Sequence, residues 1–307
     1  WGQPYATPIC GAKLVLPGAK LDGESLHELF ENEKVTVTLG VPTIWLGLLT
    51  YLRQSGKRLD HLRHLVSGGS AAPVAMIKAF EKEYGVNVLQ GWGMTETSPV
   101  CSGGIFGKGV DDLSEDALYE RKLRQRKFFG VDFRLVDDDG KEMPWDGESQ
   151  GELQVRGPWV CDGYYEDDTA SAAAITADGW FRTGDVATVD REGLMQITDR
   201  TKDLIKSGGE WISSVELENE IMSHPDVAEA AVVGIVHPKW GEAALACVVR
   251  TNDSLTEAAV IAHLEGKIAQ WQMPKGVVWI DEVPKTSVGK FSKKTLRDDH
   301  ANLFMNQ

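Results

Sequence analysis

Eight consecutive residues, Gln90-Gly-Trp-Gly-Met-Thr-Glu-Thr97, place an aromatic ring, two glycines, two hydroxyls and a carboxylate side by side. Glycines allow a ligand to approach the backbone closely. The Trp92 ring offers a π-face to a base, the Thr95 hydroxyl can hydrogen-bond a phosphate, and the Glu96 carboxylate is a hard oxygen ligand of the kind Mg²⁺ takes. A strand-to-helix turn with a capping threonine and a core tryptophan would use the same residues, so the pattern alone supports both readings.

Other segments add to this one. Ser67-Gly-Gly-Ser-Ala-Ala72 is a small-residue loop, a common turn composition that gains weight only from its neighbours. Trp180-Phe-Arg-Thr-Gly-Asp185 reads as a strand ending in a turn, where Asp185 either caps backbone amides or accepts two ribose hydroxyls. Lys202 and Lys206 stand four apart with Gly208-Gly209 after them, a solvated charged loop by default. Between Pro284 and Arg297 lie five cations (Lys285, Lys290, Lys293, Lys294, Arg297) and no acid, and the last three read as a basic helix face. Lys290 differs, because Gly289 places it on a loop before that helix. The basic run Arg121 to Lys127 reads as an exposed helix face with no role.

The elements that must carry these residues alternate in period. Val35 to Leu39 reads as a strand, Thr43 to Arg53 as an apolar helix, His64 to Val66 as a strand, Pro73 to Tyr84 as a helix opened by proline, and Val86 to Leu89 as a strand. Such a β-loop-α-β unit implies parallel strands and a right-handed crossover. The loops at Gly68 and Gln90 then leave the carboxyl ends of parallel strands, where open α/β sheets form ligand crevices. A helix is expected between Ser114 and Lys127. From Val131 onward, tight turns at Asp137-Asp-Asp-Gly140 and Asp190-Arg-Glu-Gly193 suggest an antiparallel or barrel-like subdomain.

After Asp199 a smaller α/β unit is expected, with helix Ser213 to Ser223, strands Ala230 to Ile235 and Ala243 to Val249, helix Thr256 to Gln270, strand Val277 to Ile280 and a last helix from Ser292. The length of 307 residues also favours two domains, placed at 1–199 and 200–307. The net charge of −14 opposes general attraction to nucleic acid, so a polyanionic ligand must be held by local cations. Apolar runs such as Trp45 to Leu49 fall far short of the ~20 residues of a membrane span. Four scattered cysteines suggest neither a zinc site nor a disulfide framework, and a cytoplasmic location is expected.

In this order and spacing, the segments resemble the AMP-forming acyl-CoA synthetases of the adenylate-forming superfamily. The most specific matches are the Gln90 octapeptide, Arg182-Thr-Gly-Asp185, Asp199-Arg-Thr-Lys-Asp-Leu-Ile-Lys-Ser-Gly-Gly-Glu-Trp-Ile212 and Pro284-Lys-Thr-Ser-Val-Gly-Lys290. Val41-Pro-Thr-Ile-Trp45 and the Gly-Glu-Trp-Ile variant look most like medium- and long-chain fatty acyl-CoA synthetases or methylthiopropionate-CoA ligases. The resemblance implies an α/β fold: a partial large domain with a parallel α/β sheet and a β-rich subdomain, then a small mobile α+β domain hinged near 200–203.

It also implies that Gly69, Gln90, Gly91 and Trp92 line an adenine pocket, that Thr95 touches phosphate and that Glu96 binds Mg²⁺. Asp185 would hold the ribose hydroxyls with Arg200 nearby. Lys202 matches the hinge position, Lys206 and Trp211 match nucleotide-contacting residues, and Gly208 and Gly209 match a turn of the CoA channel. Lys290 matches the lysine of the adenylation step, with Lys206 as its catalytic companion, and Trp1 matches a gate of the acyl tunnel. The acyl chain would lie along the helix of Trp45, Leu48 and Leu49. The implied substrates are a carboxylic acid, ATP and CoA, with Mg²⁺; a homodimer is compatible with this reading. The family's phosphate loop is absent from these residues and is expected upstream of Trp1, so by this resemblance the chain is expected to be the C-terminal part of a ligase. Two alternatives stand beside it: an acyl-AMP ligase that serves a carrier protein, and an inactive nucleotide-binding fragment.

Overall fold

The computed structural model describes residues 2–104, 113–285 and 291–305. The chain divides into two compact units, one of Trp1–Thr183 with Ala187–Ile197 and the other of Gly184–Val186 with Thr198–Gln307.

The first unit opens with helices α1 (Gln3–Ile9) and α2 (Gly23–Asn32), followed by β1 (Val37–Gly40), α3 (Pro42–Ser55), β2 (His64–Gly68), α4 (Val74–Tyr84) and β3 (Asn87–Trp92). The three strands pair in parallel, with Val66 opposite Leu39 on one side and Leu89 on the other. Glycine stops both crossover helices: Gly56 and Gly85 take left-handed backbone at φ 68° and 69°, a conformation that costs glycine little. Leu26 and Phe30 of α2, Trp45, Leu48 and Leu52 of α3 and Ile77 and Phe80 of α4 pack with Leu65 and Val88 of the sheet in one core. Trp45, Leu48 and Leu49, expected to lie along an acyl chain, are only 2%, 0% and 5% exposed. That face of α3 is packed by its neighbours in this core.

Beyond β3 come β4 (Ser102–Gly104), α5 (Glu115–Lys122), β5 (Gln125–Lys127), β6 (Asp132–Val136), β7 (Gly151–Arg156), α6 (Asp168–Ala174), β8 (Phe181–Val189) and β9 (Leu194–Arg200). Among the described residues the sheet runs β1-β2-β3-β4-β5-β9-β8-β7-β6. It turns antiparallel at the β3–β4 pair. The expected antiparallel region is therefore present, but it extends the same open sheet and does not close into a barrel. The helix expected to reach Lys127 stops at Lys122 and gives way to β5. The basic run is accordingly no uniform exposed face, since Lys122 is largely buried and donates to Glu81 (2.6 Å) and Asn87 (3.0 Å).

The second unit contains β10 (Ile205–Ser207), β11 (Glu210–Ile212), α7 (Ser214–Met222), β12 (Val227–His237), β13 (Gly241–Arg250), α8 (Glu257–Leu264), β14 (Gly276–Trp279) and α9 (Lys293–His300). Its sheet runs β11-β10-β13-β12, with β14 parallel to β13. The near-continuous apolar run in β12 reflects burial on both faces. Ala230 and Val232 join a core with Leu217 and Ile221 of α7, whereas Ala231, Val233 and Ile235 join Leu296 of α9 and Phe304. Helix α8 ends at Leu264, short of the expected Gln270, because Glu265 leaves helical backbone at ψ 130° and Gly266 takes φ 75°. Among the described residues no helix is long and apolar enough to cross a membrane, and Cys10, Cys101, Cys161 and Cys247 are free thiols.

Candidate active site

In the first unit the two glycine-bearing segments emerge side by side. Gly68 and Gly91 are register partners at the ends of β2 and β3, and Gly69 follows with φ 83°. Gln90, Gly91 and Trp92 lie within β3. The loop starts at Gly93, three residues later than the sequence suggested. Gln90 is 5% exposed, and its carboxamide braces the surroundings, accepting from Ala72 N (3.3 Å) and donating to the Lys122 carbonyl (3.1 Å). Trp92 is 8% exposed in a core with Cys101, Val131 and Phe133, its ring edge-on to Phe133 at 6.1 Å. β3 continues through Trp92 with the side chain turned inward, so the ring packs in this core.

The turn after the strand is tightly built. A Cβ on Gly93 would fall 2.0 Å from the Pro99 carbonyl oxygen, so only glycine fits there. Thr95–Thr97 forms one turn of 3₁₀ helix, with the Thr97 hydroxyl accepting from Met94 N (2.9 Å). Thr95 is exposed and Glu96 half-buried. Three bonds from a distant segment fix this turn: Trp159 Nε1 to the Val100 carbonyl (3.2 Å), Cys161 N to the Glu96 carbonyl (2.7 Å) and the Tyr164 hydroxyl to Glu96 Oε1 (3.0 Å). Burial first, and then the Glu96 bond, push the Tyr164 phenol up to about 12, so it stays a donor.

Among the described residues Glu96 Oε2 has no hydrogen-bond partner, and no three His, Cys, Asp or Glu residues gather as a metal cage. A single carboxylate with one open oxygen suits Mg²⁺, which usually keeps waters and substrate phosphates as its other ligands.

In the second unit Asp185 sits inside β8 and not in a turn, is 9% exposed, and pairs with Arg200 Nε at 3.4 Å. Thr201 closes the same corner, its N and Oγ1 donating to the Gly184 carbonyl at 2.9 and 3.0 Å. Lys206 and Trp211 are cross-strand partners in the β10–β11 hairpin, with Lys206 Nζ 4.3 Å from the indole centroid, a cation–π geometry. Gly208 and Gly209 form the hairpin tip at φ 63° and 94°. Lys202 is exposed, and its carbonyl accepts from Arg297 NH1 (3.4 Å), which also meets Asp203 (2.8 Å). Trp1 and Lys290 lie outside the described residues.

Two features went unnoticed in the sequence. Trp240 lies against the hairpin, its carbonyl accepting from Gly208 N (2.8 Å) and its ring 3.1 Å from where a Gly208 Cβ would stand. The second is a buried charge network. Lys293 Nζ meets Glu218 Oε1 and Ser214 Oγ, both at 2.6 Å, Ser214 Oγ donates to Asp199 Oδ2 (2.7 Å), and Asp199 Oδ1 accepts from Arg200 N (2.7 Å). Lys293 therefore belongs to the interior and not to a basic face.

An open mixed sheet with glycine-framed strand ends, followed by a small second unit, is the architecture of adenylate-forming enzymes. The family description "AMP-binding enzyme" matches residues 1–165, and "AMP-binding enzyme C-terminal domain" matches residues 216–290. The chain belongs to the AMP-binding enzyme family. It is 50% identical over 310 residues to the long-chain-fatty-acid–CoA ligase of Thermus thermophilus, covering 99% of this chain and 56% of that protein. With the 3-methylmercaptopropionyl-CoA ligase of Ruegeria pomeroyi it shares 47% identity over 300 residues, 97% of this chain and 55% of that one. Among solved structures it resembles the anthranilate CoA ligase AuaEII in complex with anthranoyl-AMP, with a TM-score of 0.83 and 26% identity over 96% of this chain and 55% of that chain. The chain spans about half the length of these relatives.

Proposed function

We propose that a protein carrying this chain joins a carboxylic acid to ATP, releasing pyrophosphate, and passes the acyl group from acyl-AMP to CoA. The observation that carries this reading is 50% identity across nearly the whole chain to a protein named as a long-chain-fatty-acid–CoA ligase. A medium- or long-chain fatty acid is the substrate class it favours, and the four free thiols agree with a reducing, cytoplasmic setting.

In the first step a carboxylate oxygen attacks the α-phosphorus and the bond to pyrophosphate breaks. In the second the CoA sulfur attacks the acyl carbon and the bond to AMP breaks. Both steps need charge stabilisation more than proton transfer. The main chain around Gly69 and Gly91 would border the adenine, Thr95 would meet phosphate, and Asp185 with Arg200 would orient the ribose. Mg²⁺, held by Glu96, would neutralise charge on the phosphates. Lys206 and Trp211 are assigned to the nucleotide, Lys290 to the α-phosphate during adenylation, Gly208 and Gly209 to the path of the thiol, and Lys202 to the pivot between the two steps. Trp1 is assigned to the entrance of the acyl tunnel.

Product analysis tests this reading. With fatty acid and ATP present, thioester should form when CoA is the acceptor. Acylation of a carrier protein with no CoA thioester would instead favour the acyl-AMP ligase.

A further inference from the structure

We propose that Tyr164 is the positioning residue for the Glu96 carboxylate: its hydroxyl holds Oε1 so that Oε2 is presented to the metal. This rests on the reading of Glu96 as metal ligand. The geometry is specific. The Tyr164 hydroxyl donates to Glu96 Oε1 at 3.0 Å across 68 residues of sequence, and a neutral phenol can restrain the carboxylate without adding a charge that would compete with a cation. Tyr164 is itself fixed from below. Its N donates to Ser171 Oγ (2.8 Å), and that hydroxyl donates to the carbonyl of Asp167 (2.7 Å), the N-cap of α6. Gly163 permits the approach, since a Cβ there would lie 3.1 Å from Ser171 Oγ. Cys161 N binds the Glu96 carbonyl at 2.7 Å, so both ends of Glu96 are held from one segment.

A flexible carboxylate loses rotamer freedom on capturing a metal, and a partner that orders it beforehand removes that loss. Tyr164→Phe deletes only the hydroxyl and leaves the ring and the Cys161 bond in place. Mn²⁺, titrated in the presence of a non-hydrolysable ATP analogue and followed by loss of its free-ion electron spin resonance signal, should bind about tenfold more weakly to Tyr164→Phe, the lower end of what losing a partner of a ligating side chain costs. ATP-analogue affinity at saturating Mn²⁺ should stay unchanged, and Tyr164→His, which keeps a ring donor, should recover part of the loss. Glu96→Gln is measured in parallel. If Glu96→Gln weakens Mn²⁺ binding while Tyr164→Phe binds it as tightly as the parent or more tightly, the positioning role is overturned and the ligand reading stands. If Glu96→Gln also binds Mn²⁺ normally, the ligand reading itself fails and the inference falls with it.

Discussion

Glu96 in the first unit and Glu218 in the second share a residue type and are used in opposite ways. Glu218 is 7% exposed; its Oε1 meets Lys293 Nζ at 2.6 Å and accepts from Val232 N at 2.7 Å. Asp199 beside it accepts from Ser214 N, Ser214 Oγ and Arg200 N. Those acids are consumed by the fold. Glu96 is half-buried, restrained on one oxygen by a neutral hydroxyl and open on the other among the described residues. Burying a charge demands compensation; Glu218 has a cation in Lys293, whereas the side-chain partner of Glu96 is a neutral hydroxyl, which leaves Glu96 the acid available to a cation. The distinction lies in the charge of the partner and not in residue type, and it can be broken by experiment.

The largest expected effect is in the ionic cluster. Lys293→Ala leaves two buried carboxylates facing each other without a cation and should cost about 3–5 kcal/mol in equilibrium unfolding of the chain. Glu218→Gln with Lys293→Met keeps an acceptor for Val232 N, removes one of the two stranded charges, and should recover part of that loss. A small effect of the single substitution would mean that Lys293 is a surface cation after all.

Trp92 sharpens the same contrast in the first unit. As a core side chain packed on Phe133, its replacement by alanine should destabilise by about 3–5 kcal/mol, while Trp92→Phe should keep most of the packing. Nucleotide affinity lost from Trp92→Ala with stability intact would instead support the stacking role read from the sequence.

What could be read in the sequence, and what could not, follows the range of the forces involved. The β1-α3-β2-α4-β3 unit was legible because periodicity and the stop glycines Gly56 and Gly85 act within a few residues. The end of β3 was misplaced because Gly91-Trp92-Gly93 suits a strand or a loop equally, and only pairing with β4 decides it. Lys293 looked like a member of a basic face because its partners, Ser214 and Glu218, lie more than 70 residues away. Tyr164 gave no local signal at all. Asp185 was legible as a candidate, yet the strand around it was not, since the Gly184 backbone (φ 69°) mimics a turn in the sequence.

A smaller effect should appear in the pH dependence of the cluster. Burial, foremost, raises Asp199 and Glu218 above their ordinary 3.8 and 4.5, with Lys293 opposing it. A raised value means that the folded chain holds the proton more tightly than the unfolded one. The contribution is present in full below the ordinary values and is lost as pH rises through the folded ones. Relative to Glu218→Gln, the unfolding free energy should fall as pH rises above 4.5, by at most about 1.4 kcal/mol per pH unit for each proton. A difference that stays flat or rises with pH would show these acids ionised as in water.

The most direct test of the proposed chemistry is acid-dependent exchange of labelled pyrophosphate into ATP, which reads the adenylation step alone, in a protein of the relatives' full length that carries this chain. Exchange should require the fatty acid, proceed without CoA, and fall by about 10²–10³ in Lys290→Ala, while thioester formation from supplied acyl-AMP persists in that variant. Exchange that ignores the acid, or a Lys290→Ala variant that loses both half-reactions equally, would contradict the assignment.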